Sequence, residues 1–183
     1  MARASQSDLA ILAVLSVRPM TGYAVREAIR DQLGHFWSES FGQIYPALSK
    51  LAAGGFIERT ASERANSSLF RLTASGEQRL TELLRSPIEA SPPRSGLMLR
   101  LFFGHVTGVP AAVELVSDAR AAALGQLDLF AGLRSLAAAE VAGGRDAEHW
   151  PWWLITISAG EHTARATVAW ADESLAALAL LDD

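Results

Sequence analysis

The 183-residue chain contains no cysteine, which excludes disulfides, thiolate zinc sites, iron–sulfur clusters and cysteine nucleophiles in one step. A cysteine-free chain suits a reducing cytosol, so a cytoplasmic location is expected. Long hydrophobic runs are missing as well. None reaches the ~18 consecutive apolar residues of a spanning helix. The polar start with a short apolar run over 9–17 does not read as a signal peptide, so no membrane partner is expected. An excess of basic charge is also lacking. Lys and Arg number 16 against 20 Asp and Glu, a net charge of −4, which excludes a uniformly basic nucleic-acid coat protein but not a small local binding face. There is no glycine-rich phosphate loop and no serine nucleophile elbow. The four histidines, His35, His105, His149 and His162, are too scattered to form a helical metal pair. A hydrolase would need Ser158 or Ser174 with a base that the sequence does not supply. The expectation is therefore a protein without enzymatic activity, metal or cofactor. Asn66-Ser67-Ser68 matches a glycosylation sequon and reads as a polar loop.

Half the residues are hydrophobic and a fifth charged, enough for a buried core. The charge is uneven: 1–86 carry ten basic and eight acidic residues, while 87–183 carry six and twelve. Between them, Pro87, Pro92, Pro93 and Gly96, with serines among them, interrupt helix and strand. This places a linker over 87–96, between units at 1–86 and 97–183.

In the first unit an apolar helix is expected over 8–17, capped by Ser7 and stopped by Pro19. A second follows over 22–33, with Thr21 as cap and Gly34 at the position of a left-handed terminator. Ser40 and Gln43 form a capping box for a third helix that runs to 53 and ends at Gly54-Gly55. Short strands at 56–59 and 69–72 flank a polar stretch, and Thr73 caps a fourth helix over 74–85. Helix, helix, helix, hairpin, helix is the order of a winged helix-turn-helix. The second unit reads as helical: 97–103, then 110–141, then 151–181. The long helix carries a stripe of Val113, Val116, Ala123, Leu127, Phe130, Ala137 and Val141, with gaps at Arg120 and Arg134. The fold class expected is mainly α with a small β-hairpin: an N-terminal winged helix-turn-helix and a C-terminal helical dimerisation domain.

The third helix carries the functional reading. Phe41, Ile44, Leu48 and Leu51 share one face at 100° per residue and should be core. Gln43, Pro46, Ser49 and Lys50 fall opposite, with Tyr45 on the flank. Gln pairs bidentately with adenine, Ser donates or accepts at a base edge or phosphate, and Lys reaches phosphate or guanine. No acidic residue lies between Phe41 and Gly55, so this face can enter a negatively charged groove. Pro46 would cost about 3 kcal/mol inside a helix, which favours a regular helix starting near Gln43 with Pro46 in its first turn.

Pro19-Met20-Thr21-Gly22-Tyr23, Phe36-Trp37, Ser40-Phe41-Gly42-Gln43-Ile44-Tyr45-Pro46-Ala47-Leu48, Leu51 and Gly55-Phe56-Ile57 resemble the PadR family of bacterial transcriptional regulators. Leu72-Thr73 and Gly76 look like that family's motif after the wing. Leu97-Met98-Leu99-Arg100-Leu101-Phe102-Phe103-Gly104, Trp153-Leu154-Ile155 and Gly160-Glu161-His162 look like the C-terminal helical domain of its larger subtype. The resemblance implies a homodimer, usually a repressor, on a near-palindromic double-stranded operator. It places Tyr23, Ser40, Gln43, Tyr45, Pro46, Ser49 and Lys50 at the DNA-reading helix. The wing would contribute Arg64, Asn66, Ser67 and Arg71; it holds no Lys, Gly or Pro, and Phe70 stands where Tyr is common. It also implies release of DNA by a small aromatic molecule such as a phenolic acid.

Five tryptophans are many for this length. Trp150, Trp153 and Trp170, with Phe36 and Trp37 of the first unit, are the expected aromatic walls of an effector site, and His149 or Arg100 would pair with a ligand carboxylate. Dimer-core packing is the competing role for the tryptophans. The competing function is a helical protein-interaction module, separable from a DNA-binding regulator by the steep salt dependence of duplex binding.

Overall fold

A helix that is apolar over most of its C-terminal half forms the centre of the N-terminal unit. α1 (Ala2–Val17) buries Ala10, Ile11, Leu12, Val14 and Leu15, so it presents apolar surface to neighbours on several sides. The computed structural model describes residues 2–34, 36–37, 41–61, 68–88, 94–142 and 148–181. The chain divides into two compact units, Met1–Ser91 and Pro92–Asp183.

α1 starts earlier than expected. Ser7 is not its cap but lies inside it, buried together with Asp8. Nothing in residues 2–6 stops a helix from extending backwards, since that stretch has neither Gly nor Pro. The helix ends at Val17, two residues short of Pro19. β1 (Met20–Thr21) follows, a strand too short to be seen in the sequence pattern. α2 (Gly22–Ala28) is capped as expected: the Ala24 amide donates to Thr21 Oγ1 at 3.1 Å. The chain then widens into a π-turn at Ile29–Leu33 instead of continuing as α-helix. Gly34 is right-handed, with φ −57°, not the left-handed terminator expected. A Cβ there would stand 2.1 Å from the Arg30 carbonyl oxygen, so close backbone approach is what requires glycine.

α3 (Phe41–Ala53) ends on Gly55 at φ +74°, where the Phe56 amide bonds the Leu51 carbonyl and the Gly55 amide bonds that of Ala52. That closure removes Phe56 from the strand expected over 56–59. The hairpin is β2 (Ile57–Ala61) and β3 (Ser68–Leu72). With β1 it makes an antiparallel sheet of order β1-β3-β2. α4 (Ala74–Arg85) matches the sequence reading, with Thr73 Oγ1 accepting from the Gly76 amide at 3.1 Å. Ile11, Leu12, Val25, Ile44, Leu48, Leu51 and Ile57 close the core.

In the second unit α5 (Gly96–Phe102) is capped by Ser95 and begins one residue before expectation. None of its residues is buried. A 3₁₀ turn at Gly104–Val106 leads to the long pair α6 (Val109–Ala142) and α7 (Trp150–Ala179). The pair is antiparallel, since Arg120 reaches Asp172 while Arg134 reaches Glu161. Val116, Ala123, Phe130 and Ala137 are buried at seven-residue steps on α6, and Trp150, Ile157, Ala164 and Ala171 at the same step on α7. The stripe is shifted at its ends: Ala112 is buried where Val113 was expected, and Val141 is exposed. Gly160 is the hole for a knob, because a Cβ there would lie 2.3 Å from Phe130 Cζ.

The two gaps in the α6 stripe are closed by charge. Arg134 grips Glu161 with both arms, Nε to Oε1 at 2.5 Å and Nη2 to Oε2 at 3.0 Å. Arg165 stands 3.5 Å from the same carboxylate. Arg120 Nε donates to Asp172 at 2.6 Å. The Arg134 hydrogen bonds outweigh burial and hold the Glu161 carboxyl below its ordinary value of 4.5. A carboxyl depressed on folding contributes stability that is complete above that value and is lost as pH falls through the folded one. Glu161→Gln should therefore lower the melting temperature at pH 7, and the gap to the parent protein should close below pH 4.5. A gap that stays constant from pH 7 to pH 3 would contradict this assignment.

Candidate nucleic-acid interface

α3 is held against the core by one face only. Ile44 and Leu48 are 1% exposed and Leu51 2%. On a helix this burial fixes the opposite face outward, and Gln43, Tyr45, Pro46, Ser49 and Lys50 are all exposed. The side chain of Phe41, expected in the core, lies outside the described residues, as do Ser40 and the wing residues Arg64, Asn66 and Ser67.

The start of α2 packs directly on α3. A Cβ at Gly22 would meet Tyr45 Cε1 at 2.9 Å and Leu48 Cδ1 at 3.4 Å, so glycine permits this close crossing. Tyr23, the next residue, is 60% exposed, and the Arg26 guanidinium lies 5.6 Å from its ring centre. Tyr23 and Tyr45 therefore flank the outward face of α3.

Pro46 corrects the sequence reading. The helix begins at Phe41, so Pro46 lies inside it, not in its first turn. Its missing N–H leaves the Gly42 carbonyl without the usual partner four residues on. Both residues are exposed, so water can satisfy that carbonyl.

The charges are more committed than the sequence suggested. Lys50 Nζ donates to Asp8 Oδ2 of α1 at 2.9 Å, a pairing across 42 residues that no local pattern reveals. Arg71 is paired with Glu58, its cross-strand neighbour. Arg59 Nε donates to the neutral Ser68 hydroxyl at 2.6 Å. The outward face of α3 is thus mainly polar and aromatic, with its cation tied to α1.

The aromatic residues of the second unit assigned to an effector do not form one group. Phe36 is exposed, while Trp37 packs on the core of its own unit, and its Nε1 is buried without an acceptor among the described residues. In the second unit Trp150 and Trp153 meet edge to face at 4.8 Å, and His149 stacks on Trp153 at 5.7 Å. Trp170 does not share a slot with Trp153. Seventeen residues of α7 put them about 25 Å apart. Trp170 instead lines a 790 Å³ apolar cavity with Met98, Leu101, Val116 and Leu178, at the other end of the hairpin. Arg100 lines a different groove with Leu99, Phe103 and Glu114. Among the described residues no group of His, Asp and Glu could hold a metal ion, and no helix is long and apolar enough to cross a membrane.

Comparison with known proteins accounts for both units. Residues 11–82 match the transcriptional regulator PadR-like family, and residues 93–179 match the virulence activator alpha C-terminal family. The first unit thus carries a PadR-like domain and the second a virulence activator alpha C-terminal domain. It is 33% identical over 113 residues to the negative transcriptional regulator PadR of Bacillus subtilis (strain 168), a match over 60% of this chain and 62% of that protein. The crystal structure of Bacillus subtilis PadR in complex with operator DNA is similar in fold, with a TM-score of 0.76 at 24% identity, covering 93% of this chain and 98% of the other. The complex of Bacillus subtilis PadR with p-coumaric acid gives a TM-score of 0.70 at 25% identity over 93% and 97%. The helix–hairpin order of the first unit thus agrees with a PadR-like domain, and the paired long helices fall within the second match.

Proposed function

We propose that this PadR-like protein is a homodimeric DNA-binding repressor that reads a near-palindromic operator with α3. The observation that carries the reading is the outward row of Gln43, Tyr45 and Ser49, flanked by Tyr23, on a helix anchored by Ile44, Leu48 and Leu51. It agrees with the operator complex of the Bacillus subtilis relative and with that relative's description as a negative regulator. Gln43 takes the base-reading role, because a primary amide offers both a donor and an acceptor to adenine. Ser40, Arg64, Asn66, Ser67 and Arg71 take supporting contacts to the backbone; Arg71 must share its charge with Glu58.

Dimerisation falls to the second unit. Phe102 is 79% exposed, and Leu99, Phe103, Val106 and Ile155 are exposed with it, more apolar surface than an unpaired helical domain usually leaves in water. A two-fold dimer would set its recognition helices about one DNA turn apart, roughly 34–36 Å. A small aromatic acid is the proposed releasing ligand, in line with the p-coumaric acid complex of the relative. Trp170, which lines the apolar cavity of the second unit, is its contact, and the Trp150–Trp153–His149 group at the other end of α7 is left to helix packing.

Three measurements check these assignments. Selection of bound sequences from a random duplex pool should give the parent protein a defined adenine that Gln43→Ala no longer requires, a loss of about 1–3 kcal/mol of discrimination. Recovery of the same sequence at the same affinity by Gln43→Ala would rule out the face. Sedimentation should show a dimer for the parent chain and a monomer for Phe102→Asp; equal dimerisation of the two would refute the interface. Titration with phenolic acids should change tryptophan fluorescence and duplex affinity together, and Trp170→Ala should abolish the response. If no acid moves both signals at millimolar concentration, the effector assignment is wrong.

A further inference from the structure

Asp8 is a carboxylate out of place. It lies on the central apolar helix, and its side chain keeps only 11% of its exposure. A carboxylate so far from water needs a partner, and Lys50 Nζ at 2.9 Å supplies it. Lys50 is the only lysine in the chain and belongs to α3, on the same outward face as Gln43 and Ser49. Its own side chain is 61% exposed, so the ion pair bridges a buried acid and the surface that would meet DNA.

Among the described residues, the recess beside Asp8 offers it no second free cation. It lines a 320 Å³ recess with Leu51, Phe56, Ser75, Gln78, Arg79 and Glu82. The cation of that recess, Arg79, is taken by Glu82, with Nη1 to Oε2 at 3.1 Å. If Lys50 swung to a phosphate, Asp8 would be left nearly buried beside a recess that already holds a second carboxylate. The two positions of Lys50 are therefore unequal, and the protein-bound one is favoured.

We propose that Asp8 is a positioning residue that withholds Lys50 from the DNA backbone, so that α3 meets the duplex through Gln43 and Ser49 without a phosphate contact from its lysine. The proposal rests on the reading of α3 as the DNA-reading helix. Its consequence is selectivity. A phosphate contact strengthens binding to every sequence alike, whereas a base contact strengthens only the right one. Tying the lysine to Asp8 lowers affinity for unrelated DNA and leaves discrimination to the neutral side chains.

The test uses full-length protein and two duplexes of equal length: one recovered by selection with the parent protein, and one mixed sequence that was not. Binding is measured from 50 to 200 mM salt. Asp8→Asn frees the lysine charge. It should tighten binding to both duplexes and steepen the slope of log K against log salt by about 0.9 per subunit, an extra loss of about 3.5-fold per subunit across that range. Adding Lys50→Met to Asp8→Asn should remove the gain. A slope that is unchanged or shallower in Asp8→Asn overturns the proposal. The second measurement needs no change at Asp8: the ¹⁵Nζ signal of Lys50, identifiable because the lysine is unique, should stay in place when the selected duplex binds. A large shift on binding overturns the proposal even if Asp8→Asn fails to fold. Gln43→Ala separates the two levels. If it leaves sequence preference intact, the α3 reading itself has failed; if preference is lost while the Lys50 signal moves, only the role of Asp8 has failed.

Discussion

The one-sided anchoring of α3 is the constraint on which the N-terminal unit depends. Ile44, Leu48 and Leu51 are buried almost completely against α1, α2 and the hairpin. Burying three such side chains is worth about 1.5–3 kcal/mol each relative to leaving them in water. Rotating the helix by half a turn would forfeit that and bury Gln43 and Lys50 instead. The face offered to a partner is thus set by packing, before any partner is present. Gly22 lets α2 cross at close range, and Thr73 and Gly55 close the end of α3 against β2 and α4.

In the second unit the corresponding constraint is the α6–α7 seam. Phe130 fits the space left by Gly160, and the arginine–carboxylate pairs Arg120–Asp172 and Arg134–Glu161 sit where a purely apolar stripe would otherwise continue. A register slip would drive the ring into a side chain and strand Glu161, which is buried, without its bidentate partner. Shape and charge therefore specify the same register.

Local signals were legible in the sequence. The caps at Thr21 and Thr73 depend on residues three positions apart, and the inward face of α3 follows from helical periodicity alone. The motifs that resemble the PadR family are also visible in the sequence. What stayed hidden depends on atoms distant along the chain. Nothing near Lys50 signals Asp8, and nothing near Gly160 signals the Phe130 ring. Gly34 looked like a left-handed terminator because that is a common reason for glycine after a helix; here the reason is the Arg30 carbonyl. Pro46 predicts a regular helix starting near Gln43, because proline usually costs an interior helix too much. The burial of Ile44 and Leu48 on either side holds the helix through it. The tryptophans showed composition but not position: Trp153 and Trp170 belong to opposite ends of one long helix.

The central claim is that the outward face of α3 lies against DNA. Because the chain has no cysteine, Ser49→Cys places a single thiol on that face, to which a DNA-cleaving iron chelate can be attached. On a duplex selected by the parent protein, strand scission should be confined to a few base pairs within the site and mirrored about its centre. Uniform scission, or none, at protein concentrations that saturate the duplex would contradict the account.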